Sequence, residues 1–237
     1  MAGKSIKIHY EITFKNGRKL AFPIELDSDT LGLKTAPRTN YPEWTNLTCH
    51  QCPNCPLNPE TSPRCPIAAN ISEIIESFAH DASFEEVEVT IRAEARNYQR
   101  TISLHDALRS IFGIYMATSG CPVLDKLRPL VATHLPFATP HETAYRALSM
   151  YALAQAFIGQ HGGQPDWKFE GLEKIYKEVE AVNKAFHQRL VSVGLADASL
   201  NAIGNLNCYA QFTQLLLGEV TLKTIEKLFS AYLAPSK

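Results

Sequence analysis

The chemistry of this chain is concentrated in its cysteines. Four of the six, Cys49, Cys52, Cys55 and Cys65, fall within seventeen residues, and the first three follow one another at Cys-x-x-Cys spacing. A Cys-x-x-Cys turn is tight enough to aim two sulfurs at one centre, and thiolate is a soft ligand suited to zinc or to an iron–sulfur cluster. A single Zn²⁺ takes four tetrahedral ligands. Sulfurs at three successive i, i+3 positions crowd one ion, so Cys52, Cys55 and Cys65 are the expected firm ligands, with Cys49 or His50 as the fourth. A [4Fe–4S] cluster is the alternative, since three closely spaced thiolates plus a distant cysteine followed by proline suit its corners. Zinc is favoured, in a closed structural site. Glu60 and Asn58 are the nearest polar residues in sequence, and neither has the spacing of an acid–base partner beside an open metal position. No catalytic residue is assigned.

Cys121 is a separate candidate. Gly120 before it and Pro122 after it suggest a sharp turn into a helix N-terminus, a setting that lowers a thiol pKa. With His134 or His141 as a base it would be a reactive thiol or redox sensor; otherwise it is a small buried residue at a helix corner. Cys208, among Leu206, Tyr209 and Phe212, reads as core. His141, Glu142, Tyr145 and Arg146 share one helix start, where capping accounts for Glu142. The glycines of His161–Pro165 lack the Lys-Ser/Thr of a phosphate-binding loop, and Trp167 is expected to seal two helices.

These groups need elements to hold them. Ile6, Ile8, Tyr10, Ile12 and Phe14 alternate strictly, Asn16-Gly17 is a hairpin turn, and residues 19–26 run back, with Pro23 marking an edge strand. Residues 27–66 are irregular and rich in proline, a length of connection that needs something to organise it. Metal–sulfur bonds are the expected organiser, with Trp44 and Leu47 as apolar anchors. A helix is expected from Ser62-Pro63, with Cys65 in its first turn and Ile67, Ile71, Ile74, Ile75 and Phe78 on one face. Val87, Val89 and Ile91 alternate in a third strand, and Tyr98–Ile102 pairs back on it. Helical spacing then takes over. Helices are expected from Ser103, from Pro122 through Val131, from the capping box Thr139-Pro140-His141-Glu142, over 171–193, over 197–217 and over 221–233.

The fold class is therefore α+β: an antiparallel sheet domain with an inserted metal loop (residues 1–102, the loop at about 27–66) and a helical domain of about six helices (103–237). Formal net charge is −1, which provides no general field for nucleic acid, and Glu85, Glu86, Glu88 and Glu94 interrupt the basic residues of the sheet. No apolar run of membrane-spanning length and no signal-peptide core is seen, so a cytoplasmic chain with reduced thiols is expected.

The run Gly113–Val123, together with Cys-Pro-Asn-Cys-Pro-Leu at 52–57, resembles a family of uncharacterised bacterial proteins of unknown function, over most of the chain. The resemblance implies no activity and transfers no site residue. The expected function is a metal-binding protein with a binding or regulatory role, whose helical part receives a protein partner or a second copy. An iron–sulfur redox or electron-transfer protein, or a thiol enzyme using Cys121, is the alternative.

Overall fold

A computed structural model describes residues 5–36, 38–194, 197–216, 223 and 225–233. Strands β1 (Ser5–Phe14), β2 (Lys19–Asp27), β3 (Glu86–Ala93) and β4 (Asn97–Ser103) form one antiparallel sheet in the order β2-β1-β3-β4. Two hairpins thus lie side by side, with β1 paired to β3 so that Tyr10 faces Ile91 and Ile12 faces Val89. Pro23 lies on β2, an edge strand, as its missing N–H requires.

Strict alternation sends one face of the sheet inward. Ile8, Tyr10, Ile12, Phe14, Val87, Val89 and Ile91 are all buried, while Lys7, Glu86 and Glu88 face outward. Against the buried face pack α1 (Pro66–Ser77) and α2 (Leu104–Thr118), whose apolar stripes have helical spacing. Phe78, just past α1, meets the rings of Phe14 and Phe22 at 6.2 and 5.6 Å. A single turn, α3 (Pro129–Ala132), leads to α4 (Pro140–Gln160), α5 (Glu170–Ser192) and α6 (Asp197–Leu216). The last helical turn described is α7 (Ser230–Leu233). α6 packs against α2, α4 and α5, and the apolar core runs unbroken from the sheet through these helices.

Several local expectations need correction. The helix after the loop starts at Pro66, not at Ser62-Pro63, and Cys65 is its N-cap in extended backbone. Proline at 66 disfavours helical ψ at the residue before it, and Cys65 takes ψ 120°. The segment after Pro122 is a 3₁₀ turn (Leu124–Leu127) followed by α3, because Pro129 interrupts a continuous helix. The Thr139 capping box forms, with Glu142 N–H donating to Thr139 Oγ1 and Thr139 N–H to Glu142. Ser103 makes no such cap to the backbone; its hydroxyl donates to Asp106 Oδ2 at 2.8 Å. On α4 the inward residues are Ala144, Ala147, Leu148 and Tyr151, leaving Tyr145, Leu153 and Phe157 exposed. Trp167 is also exposed and seals nothing. Part of the helix expected over 221–233, and the end of that over 197–217, lie outside the described residues.

Among the described residues no helix is long and apolar enough to cross a membrane.

Candidate metal centre

The proline-rich insert is clamped before any metal is considered. Its two arms meet where Leu47 N–H donates to the Pro63 carbonyl (2.9 Å) and Cys65 N–H to the Thr45 carbonyl (2.8 Å). Trp44 and Leu47 are buried, as expected of anchors. Arg189, from the last turn of α5, enters from the other side. It is 1% exposed, and its Nη1 donates to the carbonyls of Trp44 (2.8 Å) and Asn46 (2.7 Å), its Nη2 to that of Leu47 (3.3 Å). Asn54 Nδ2 adds a bond from the loop tip to the Glu178 carbonyl (3.1 Å). The insert is therefore docked on α5 by polar contacts that its composition did not announce.

The cysteines sort into two groups. Cys52, Cys55, Cys65 and Cys121 all line one small cavity, together with Leu47, Val182 and Arg189. Cys52 and Cys55 come from a turn closed by Cys55 N–H donating to the Cys52 carbonyl (3.0 Å). Cys65 comes from the cap of α1. Cys121 follows α2 through Gly120, whose φ of +86° lies in the left-handed region that glycine enters without strain. Cys49 packs at the edge of the core and does not line the cavity, and His50 is exposed, on left-handed backbone with φ 45°. Cys208 is exposed rather than core, since it lies on the outward side of α6.

The site is electrostatically unusual. Burial, and then the nearby Cys65, Cys121 and Cys55, push the Cys52 thiol up to about 12. Burial also raises the Cys121 thiol, even though the backbone amides of Leu124 and Val123 donate to its sulfur. The lowered pKa expected for a reactive Cys121 is thus reversed, because desolvation outweighs the amides. His134 and His141 are elsewhere: the His134 Nε2 pairs with the Tyr10 hydroxyl at 2.5 Å, and the His141 ring meets Phe212 edge-on. Arg189 is the cation of this cavity, and among the described residues no carboxylate pairs with it. Among the described residues, no group of three or more His, Cys, Asp or Glu side chains stands ready to hold a metal ion.

One signal for this grouping was available in the sequence. Each cavity cysteine is followed by proline (Cys52-Pro53, Cys55-Pro56, Cys65-Pro66, Cys121-Pro122), whereas Cys49 precedes His50 and Cys208 precedes Tyr209. Proline disfavours helical backbone at the preceding residue and brings no N–H of its own beside the sulfur.

Residues 8–230 match the family model described as Domain of unknown function (DUF6901). The chain belongs to this family. The match spans the sheet, the insert and the helical part alike, so all four cavity cysteines lie inside it. No curated protein and no solved structure matches the chain. Membership in the DUF6901 family carries no activity with it, and the chemistry of the site has to be argued from its side chains.

Proposed function

We propose that this protein binds a thiolate-ligated metal centre through Cys52, Cys55, Cys65 and Cys121. The observation that carries the reading is that cysteines from three separate segments, up to 69 positions apart in sequence, line one buried cavity. Arg189 supports it. A buried guanidinium needs an anion, and four thiolates around iron or zinc supply net negative charge where neutral thiols do not. The set differs from the one the spacing alone suggested: Cys121 takes the place assigned to Cys49 or His50.

Zinc is the first reading, favoured by the tight Cys52–Cys55 turn, and it requires the four side chains to close inward on one ion. An iron–sulfur cluster is the second reading, since its own iron and sulfide fill the space between thiolates that stay apart. In either case the centre joins the insert, α1 and the end of α2, and the protein acts as a metal-stabilised binding or regulatory protein of a reducing compartment.

The test is purification under exclusion of air, followed by iron, sulfide and zinc analysis and visible absorption. One zinc in a colourless chain is expected, and a brown protein with about four iron and four sulfide per chain selects the second reading. Single serine substitutions at positions 52, 55, 65 and 121 should each lower bound metal, while Cys49→Ser and Cys208→Ser leave it unchanged. Absence of metal from the native protein and from reconstituted samples rejects the proposal.

A further inference from the structure

A second cavity, of about 180 Å³, lies inside the helical part between α2, α3, α4, α5 and α6. It is somewhat larger than an engineered apolar cavity of about 150 Å³ that binds benzene. Its wall is mostly aliphatic, with Ile114, Leu127, Val179 and Leu206 among the lining residues. Apolar lining with a few convergent polar groups is the usual make-up of a small-molecule site.

The polar groups here share one sign. Arg109 and Arg146 both line the cavity, and among the described residues no Asp or Glu does. Arg146 gives its Nη2 to the carbonyls of Leu130 (2.6 Å) and Thr133 (2.9 Å) and has no carboxylate partner among the described residues. Glu142, one turn away, is occupied by the Thr139 cap. Arg109 lies over the Tyr209 ring at 4.1 Å, and its Nε forms an ion pair with Asp106 Oδ1 at 3.5 Å, a contact outside good hydrogen-bond geometry. Asn183, on α5, lines the same cavity at 3% exposure and brings an amide to its wall.

The geometry points to a binding site for a small carboxylic acid with an apolar body, its carboxylate held by Arg146 with Arg109 and Asn183 and its hydrocarbon part against the aliphatic wall. A phosphate dianion suits the cavity poorly, because the wall is largely aliphatic and Arg146 has already committed one nitrogen. The site rests on observations separate from the cysteine cavity.

The test uses the full chain and four acids: benzoate, phenylacetate, hexanoate and isovalerate. Benzyl alcohol and hexanol serve as neutral partners, with binding followed by calorimetry and ligand-observed NMR. At least one acid is expected to bind with a dissociation constant below about 1 mM, and its alcohol at least about tenfold more weakly. Arg146→Gln should remove that preference and leave alcohol binding in place. Because Arg146 also holds two carbonyls and its variant can fail to fold, Gly113→Leu provides the second arm. Gly113 lines the cavity, and a Cβ built on it meets nothing within 4 Å, so leucine there fills the space and should abolish binding of acid and alcohol alike. The proposal is overturned if none of the four acids binds below that level, if acid and alcohol bind equally, or if a folded Gly113→Leu protein binds as the parent does.

Discussion

Arg189 Nη1 lies 2.7 Å from the carbonyl oxygen of Asn46, a residue 143 positions earlier. With the carbonyls of Trp44 and Leu47 also accepting from this guanidinium, one side chain of α5 holds the turn that leads into the Cys-x-x-Cys segment. Organisation of the insert is thus shared between this buried arginine, the apolar anchors Trp44 and Leu47, and whatever the thiols bind. The insert does not hang on sulfur alone.

Replacing Arg189 by methionine keeps much of the volume and removes three donations to buried carbonyls. Hydrogen bonds to charged groups are worth about 1.5–3 kcal/mol each where an unpaired partner stays buried. Relaxation lets some carbonyls reach water, so a net loss of about 3 kcal/mol is expected. Chemical denaturation measures it, and limited proteolysis should show faster cleavage in residues 38–64. Arg189→Lys should not restore stability, because a single ammonium cannot reproduce the fork that spans three carbonyls.

Metal removal should loosen the chain unevenly. Chelation, or Cys121→Ser, is expected to raise amide exchange in residues 49–66 and around 119–124, and to leave β1, β3 and the middle of α5 protected. Those elements draw their stability from the continuous apolar core. Uniform loss of protection, or none, contradicts a centre local to that cavity.

His134 gives a pH dependence with a definite sign. Burial, reinforced by the nearby Arg146 charge, lowers its pKa to about 3, while the unfolded chain titrates near 6.5. As pH falls below about 6.5 the unfolded state takes up this proton and the folded state does not, so stability drops by up to about 1.4 kcal/mol per pH unit. The carboxylates with lowered pKa, among them Asp166, Asp197 and Glu180, lose their contribution only at lower pH. The window from about 6.5 to 5 therefore isolates the histidine. Denaturant melts across that window should slope in the parent and be flatter in His134→Gln; equal slopes contradict the assignment.

Gly171 is set by a close approach. A Cβ added there would fall 2.1 Å from the Tyr151 hydroxyl and 3.2 Å from Asp166 Oδ2. That hydroxyl donates to Asp166 at 2.9 Å, and Gly171 N–H donates to the same carboxylate oxygen at 2.7 Å, tying the middle of α4 to the start of α5. Gly171→Ala should cost about 1–3 kcal/mol by overpacking. In a Tyr151→Phe background the nearest clash is gone and the cost should shrink, a coupling of about 1 kcal/mol in a double-mutant cycle. Strict additivity would locate the strain elsewhere.

Much of the architecture was legible residue by residue. Alternation in β1 and β3, the Asn16-Gly17 turn and Pro23 determine a two-hairpin sheet with β2 at its edge, because the side-chain period of a strand and the missing N–H of proline act locally. The Thr139 capping box is local in the same sense, as is the stripe of α1. The outward turn of Cys208, Leu153 and Phe157 was not legible, since an apolar residue on a helix has the same neighbours in sequence whether its face meets a partner or water.

Within the chain, the sequence by itself determined that thiols gather between two hairpins and that helices follow. Only the tertiary structure decided which thiols share a cavity. Cys121 reaches Cys52, Cys55 and Cys65 because α1 and α2 pack on the same sheet face, and Arg189 reaches the insert because α5 crosses behind it. Contacts between residues so far apart are selected by the free energy of packing whole elements, which spacing along a chain does not encode.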